Sequence, residues 1–272
     1  MKKLFIIPLA AVLALIGCLT ASAAFDYRYG DWLLSLQTDG GYSFAVKSYD
    51  GTSDSVTVPD SYGSYPVTAV SPYAFAANTS LRSVRMNENI TSIGDGAFLS
   101  AESLEEVILP AGLTKIGESV FSGTPNLKSV NLQDTAVTEI PDKAFLNSGI
   151  EKLTVPAAVT KIGENAFSGC NNLTVYVYPG SAMQEYAKTH GMNYVTVITY
   201  LLGDANTDGI VNINDVTTIQ RHLAELERLK DIDFLAADVN QDGMADIADA
   251  TVLQMYLAEY EMEYPIGEVI TQ

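Results

Sequence analysis

The chain has 272 residues, room for one large domain or two modest ones, and 47% of them are apolar, so it can bury a core. Thirty-three acids against fifteen bases leave a net charge of −18, which sets aside nucleic acid and anionic membrane surfaces as partners, since both repel it. The acid is concentrated: from Tyr200 onward fifteen Asp and Glu face only Arg221, Arg228 and Lys230, and so charged a short segment points to divalent cations.

At the start of the chain, Lys2 and Lys3 precede an apolar run from Leu4 to Leu19, followed by Ala21-Ser22-Ala23. A positive start, an apolar stretch and a small-residue site predict a secretory signal peptide over 1–23, with the mature chain beginning near Phe25. An alternative stays open: Leu15-Ile16-Gly17-Cys18 resembles the lipobox of bacterial lipoproteins, which would acylate Cys18. No later stretch is long and apolar enough to span a bilayer. With the signal removed, Cys170 is the remaining cysteine; it forms no internal disulfide, and its expected role is that of a small buried filler.

Residues 25–66 predict a strand-rich N-terminal cap, with Tyr42, Phe44, Val46, Val56 and Val58 alternating. A repeat follows. Phe75, Phe98, Phe121, Phe145 and Phe167 fall 22 to 24 residues apart. Five residues before each stands Val70, Ile93, Ile116, Ile140 or Ile162, and about six after stands Leu81, Leu104, Leu127, Ile150 or Leu173. Val84, Val107, Val130 and Leu153 then mark one short alternating strand per repeat. Each repeat buries roughly four large side chains worth about 1.5–3 kcal/mol apiece, against about 1–2 kcal/mol per residue for ordering its backbone. A lone unit is unstable; stacked units cover each other's faces. Three residues after each Phe come Asn78, Ala101, Thr124, Ser148 and Cys170, small residues expected at one tight corner. The outward strand positions are Ser83, Arg85, Glu106, Ile108, Ser129, Asn131, Lys152 and Thr154, a mildly polar face on which a ligand could sit. In the last repeat Val175, Tyr176, Val177 and Tyr178 leave the register open, and a one-residue slip would expose both tyrosines.

The segments "ITSIGDGAF" (90–98), "LTKIGESVF" (113–121) and "VTKIGENAFSGCNNL" (159–173) resemble the BspA-like class of bacterial leucine-rich repeats. The resemblance implies a curved, β-rich solenoid over 67–198, closed by a short helix near Ser181–His190. It also implies adhesion or protein binding, without naming a ligand.

Residues 204–215 and 238–249 each place oxygen-bearing side chains at loop positions 1, 3, 5, 9 and 12, with Gly209 or Gly243 at position 6. That is the spacing of an EF-hand calcium loop, except that Asp stands at position 12. The expected ligands are Asp204, Asn206, Asp208, the carbonyl of Ile210, Asn212 and Asp215 for one Ca²⁺. For a second they are Asp238, Asn240, Asp242, the carbonyl of Met244, Asp246 and Asp249. The following helices, expected over Asp215–Leu226 and Asp249–Tyr260, repeat at an offset of 34 residues, and a helical stretch around Leu229–Ala236 joins them.

Paired loop-plus-helix units of this kind resemble a type I dockerin over 200–265, a small all-α module, with 266–272 as a tail. The resemblance implies calcium binding and a cohesin-bearing scaffold protein as partner. Tyr200-Leu201 and Tyr264-Pro265 stand where family members clasp their ends. The family's contact positions fall on Ile213, Asn214, Gln220, Arg221, Ile247, Ala248, Gln254 and Met255. This chain lacks the Ser/Thr pair of the best-known members at loop positions 10 and 11, and core packing is the competing role for Ile213 and Ile247.

His190 and His222, the only histidines, have no nucleophile in sequence context. The N-terminal stretch of about forty residues is too short for a catalytic domain. The expectation is a secreted, non-catalytic binding protein of a cellulosome-like surface complex, its repeats holding a protein or glycan. The alternatives are a free-standing adhesin with a calcium-stabilised end, and an accessory or inhibitor of a polysaccharide-degrading enzyme.

Overall fold

The computed structural model describes residues 26–38 and 41–271; the expected signal peptide, Cys18 and Phe25 lie outside them. The chain divides into two compact units, Met1–Val195 and Thr196–Gln272.

The first unit is a solenoid. The antiparallel strands Asp26–Tyr29, Trp32–Gln37 and Ser43–Tyr49 begin it. From Ser43–Tyr49 the pairing turns parallel, through Tyr65–Val70 and Ser92–Ile93 to Lys115–Ile116. A second parallel row runs Ser55–Thr57, Ser83–Arg85, Glu106–Ile108 and Ser129–Val130. Val56 pairs with Val84, so part of the segment expected as a cap already follows the repeat pattern. The strands are short because each repeat must turn back within two dozen residues, and the turns use left-handed backbone. Two residues after each Phe, Ala77, Ser100, Gly123, Asn147 and Gly169 all have positive φ; Gly fills that position in only two repeats, so the others hold mild strain.

The periodic phenylalanines form the spine. Phe75, Phe98, Phe121, Phe145 and Phe167 stack with centroids 4.9, 5.4, 5.3 and 5.4 Å apart. Trp32 closes one end edge-on to Phe75 at 6.1 Å, and Tyr186 the other, 6.0 Å from Phe167. Tyr186 belongs to the helix Ala182–Thr189, capped by the Ser181 hydroxyl, close to its expected bounds. Val84, Val107, Val130 and Leu153 are buried as the alternation requires. At the corner, Ala101, Thr124 and Ser148 are buried. Cys170 is half-buried and its thiol donates to the Phe145 carbonyl at 2.9 Å.

The open register resolves in one direction. Leu153 pairs with Val175 and Thr154 with Tyr176; Val175 and Val177 are buried, while Tyr176 and Tyr178 lie half-buried on the outward side. Continuing the three-residue step from Leu173 would have buried Tyr176. The slip occurs because valines flank it on both sides and fill the core position without a phenol needing a partner.

The second unit holds the helices Ile213–Leu223, Asp231–Ala237 and Ile247–Leu257. The two long helices begin two residues earlier and end three earlier than expected. Asn212 and Asp246 are their N-caps, in capping boxes with Asp215 and Asp249, and Glu225 and Glu259 adopt left-handed φ that stops each helix. Their core is made of equivalent pairs 34 residues apart, Val216 with Ala250 and Ile219 with Leu253. The module is not purely helical: Thr199–Leu201 pairs antiparallel with Val269–Thr271. The ends meet through this ladder, in the segment expected as tail, while Tyr264 packs against the core of the module. Among the described residues no helix is long and apolar enough to cross a membrane.

Candidate calcium and partner-binding site

Each loop of the second unit holds two buried aspartates, at its first and last positions. Asp215, fully buried, accepts hydrogen bonds from the Asn206 and Asn212 N–H groups at 3.1 and 2.8 Å. Asp249 repeats this with Asn240 and Asp246 at 3.0 and 2.8 Å. At the head of each loop Asp204 accepts from Asp208 and Gly209, and Asp238 from Asp242 and Gly243, all within 2.8–3.1 Å. Asn206, Asp208, Asn240 and Asp242 each take the N–H two residues on, and Asn212 and Asp246 cap the helices. Gly209 and Gly243 carry φ of +86 and +89°, with open space where a side chain would stand. Backbone conformation, not room, is what demands glycine there.

The electrostatics of the loops are unbalanced. Burial pushes the Asp215 carboxyl above the ordinary range, and the neighbouring charges of Asp204 and Asp208 push it further, against the backbone N–H groups that favour the anion. Asp249 is raised in the same way, by burial and by Asp238. Among the described residues no loop aspartate has a Lys or Arg partner. Buried carboxylates without counter-charge are costly, and a hard cation with oxygen donors is the chemistry that removes the cost. The donor set of both loops fits such an ion: carboxylates, side-chain amides and a backbone carbonyl, with no sulfur or imidazole. Among the described residues no three acidic, histidine or cysteine side chains are gathered into a ready cluster; the oxygens are turned onto the loop N–H groups.

All eight residues expected to touch a partner are exposed: Ile213, Asn214, Gln220, Arg221, Ile247, Ala248, Gln254 and Met255. Ile213 and Ile247 are 59% and 64% exposed, so core packing is not their role. Further apolar side chains of this unit, not expected from the sequence, are also exposed. Ile210 and Met244, whose carbonyls are the expected ligands, are 63% and 56% exposed, and Leu226 and Tyr260 stand out just beyond the helices. Each pair is separated by the same 34 residues. That offset is the signal by which the sequence marks them.

The Cys170 thiol is raised by burial, opposite to the shift a reactive thiolate needs. His190 stacks on Tyr186 at 3.9 Å, and His222 accepts the Leu229 N–H at 3.2 Å.

A model of the BspA type leucine rich repeat region matches residues 49–174 in six copies, and a model of the dockerin type I domain matches residues 202–258. Among solved structures, a T. pallidum leucine rich repeat protein is 24% identical at a TM-score of 0.51, covering 56% of this chain and 72% of that one. A leucine-rich repeat protein from Bacteroides ovatus is also 24% identical, at a TM-score of 0.50, covering 56% of this chain and 40% of its own length. These likenesses speak for the solenoid fold. The chain spans less than half of the Bacteroides ovatus protein. No curated protein matches it. Type I dockerins bind calcium and, in cellulosome-like complexes, cohesins; leucine-rich repeats suggest protein binding. Both matched modules are binding or structural, and both are typical of extracellular bacterial proteins. The chain is thus a BspA-type leucine-rich-repeat solenoid followed by a type I dockerin domain.

Proposed function

We propose that this is a secreted, non-catalytic binding protein whose C-terminal module, about residues 200–265, anchors it to a cohesin on an extracellular scaffold, while the repeats over 67–198 hold a protein or glycan. Two calcium ions would sit in the loops 204–215 and 238–249, on the residues set out above, and give the buried carboxylates their counter-charge. Residues 1–23 would direct export and be removed; acylation at Cys18 is the alternative route to the cell surface. The observation that carries the reading is the duplicated presentation of Ile213 and Ile247, exposed on the first turn of two equivalent helices. An apolar pair held in water by rigid, capped helices fits the centre of a protein interface. Capture on immobilised mature protein from the producing organism's secreted fraction, in calcium and in EDTA, tests it. Recovery of a cohesin-bearing scaffold in calcium, and its loss in EDTA and in an Asp204→Ala/Asp238→Ala double variant, is the expected result. Calcium binding without any calcium-dependent partner would replace this reading with a free-standing adhesin.

A further inference from the structure

The solenoid is interrupted at one place. Along the first three repeats both strand rows are continuous, but among the described residues Ser129–Val130 does not pair with Lys152–Thr154, nor Lys115–Ile116 with Glu139–Ile140. The cause is visible in the sequence. Nine residues separate Val84 from Ile93, Val107 from Ile116 and Leu153 from Ile162, whereas ten separate Val130 from Ile140. The extra residue is taken up by a 3₁₀ turn at Leu132–Asp134. The Asn131 side chain pairs with both backbone groups of Leu109 at 2.7 and 3.0 Å and so ends the ladder there. On the Phe side the repeats stay joined, through Phe121 N–H to Ala144 and Gly123 N–H to Leu146, both at 2.8 Å. Phe121 and Phe145 make the widest interplanar angle of the stack, 30°. The repeats stay joined along the phenylalanines and lose their ladders along the strands, where the Ala136 N–H to Leu113 bond at 2.9 Å remains.

On the outward strand face the parting leaves a cleft of about 350 Å³, within the size range of small-ligand sites. Its charged lining residues are Lys128 and Lys152, with no acid, in a chain of net charge −18. Lys152 has no acidic partner among the described residues, and Lys128 reaches Glu105 only at 3.8 Å. Ser129, Gln133 and Thr154 add hydroxyl and amide groups, and the outward phenol of Tyr176 forms one wall.

We propose that this seam cleft binds a carboxylated oligosaccharide, its carboxylate on Lys152 with Lys128 nearby, and a sugar ring against Tyr176. The inference rests on the reading of the repeats as a binding unit. Two lysines in a cleft whose lining holds no acid favour an anion, with Glu105 and Asp134 just outside it. An aromatic wall with hydroxyl and amide neighbours suits a sugar, whose faces are apolar and whose rim is polar. An acidic peptide shares only the charge.

Titration calorimetry on the full chain in calcium tests it, with oligogalacturonate, neutral cello-oligosaccharide and poly-glutamate as probes. Oligogalacturonate is expected to bind, more weakly as salt rises, and cello-oligosaccharide to bind at least tenfold less tightly. Lys152→Gln should weaken oligogalacturonate roughly tenfold, the size of one lost charge-assisted contact. Tyr176→Ala should also weaken it, and Lys188→Gln, on the closing helix, should not. Because Lys152 is exposed, its variant should keep the wild-type melting profile. Three results would overturn the proposal: no binding of oligogalacturonate, binding indifferent to Lys152→Gln, or poly-glutamate binding as tightly as the sugar. A different ligand of the repeats, captured equally by wild type and Lys152→Gln, removes this site while leaving the repeats a binding unit.

Discussion

The two units solve the problem of a small core in opposite ways. The repeats bury phenylalanine on phenylalanine; Phe98, Phe121 and Phe145 are wholly inaccessible, and ion pairs such as Arg82–Glu105 and Lys161–Glu139 lie at the surface. The C-terminal unit has a thinner apolar core, rich in alanine, with fully buried Asp215 and Asp249 at the base of its loops. One unit is held by an effect that needs only water. The other contains uncompensated charge that an ion from solution must balance.

Calcium removal should therefore separate them most sharply. In excess EDTA the C-terminal unit is expected to lose about 4 kcal/mol, the linkage energy at a thousandfold excess of ion over its dissociation constant. For a module this small that is enough to unfold it. The repeats should keep their transition. Calorimetry of the full chain, with helical signal followed in parallel, checks this; a single transition that moves as a whole with calcium would show that the two units are not independent. Conversely, Phe121→Ala removes the middle of the stack and should cost about 3–5 kcal/mol, seen in the repeat transition alone. Loss of the C-terminal transition in that variant would contradict the division.

A smaller effect sharpens the comparison from the other side. Gly243→Ala meets no atom within 4 Å but must hold a φ of +89°, a strain of about 1–2 kcal/mol. It should lower calcium affinity at the second loop by roughly five- to thirtyfold, leaving the first loop intact. A two-site calcium titration reads this directly. Equal weakening at both loops would mean that the loops act as one.

How far the sequence foretold each unit follows from the same contrast. Periodic burial leaves periodic letters, so Phe75 to Phe167 and their flanking aliphatics declared the stack, and the fixed offsets of Asp204 and Asp238 declared the loops. What escaped was set by single residues acting through backbone geometry. Asn212 and Asp246 start their helices two residues before the position-12 aspartates because a capping side chain takes over the first turn. Glu225 and Glu259 end them through a left-handed φ that no residue type announces. The clasp Val269–Thr271 turns only Ile270 to the core, too few residues for an alternation to announce it. The added residue between Val130 and Ile140 was visible as a spacing, but its consequence, the break in both strand rows, depends on how Asn131 and Leu132 pack.

The exposed isoleucines carry the smallest expected change in stability. Ile213→Asp and Ile247→Asp replace side chains already in water, so each should alter stability by no more than about 0.5 kcal/mol, and an acid in the first turn slightly favours the helix. Their effect belongs to the interface. If the two halves can each present their face to the same partner after a half-turn, either single substitution leaves one competent face and costs about a factor of two, the loss of one of two equivalent modes. The double substitution should then abolish capture of the scaffold. If one orientation alone is used, one single variant matches the double and the other behaves as wild type. Measuring the four proteins against one cohesin separates these cases, because the helices and loops that hold the two residues are unchanged by either substitution.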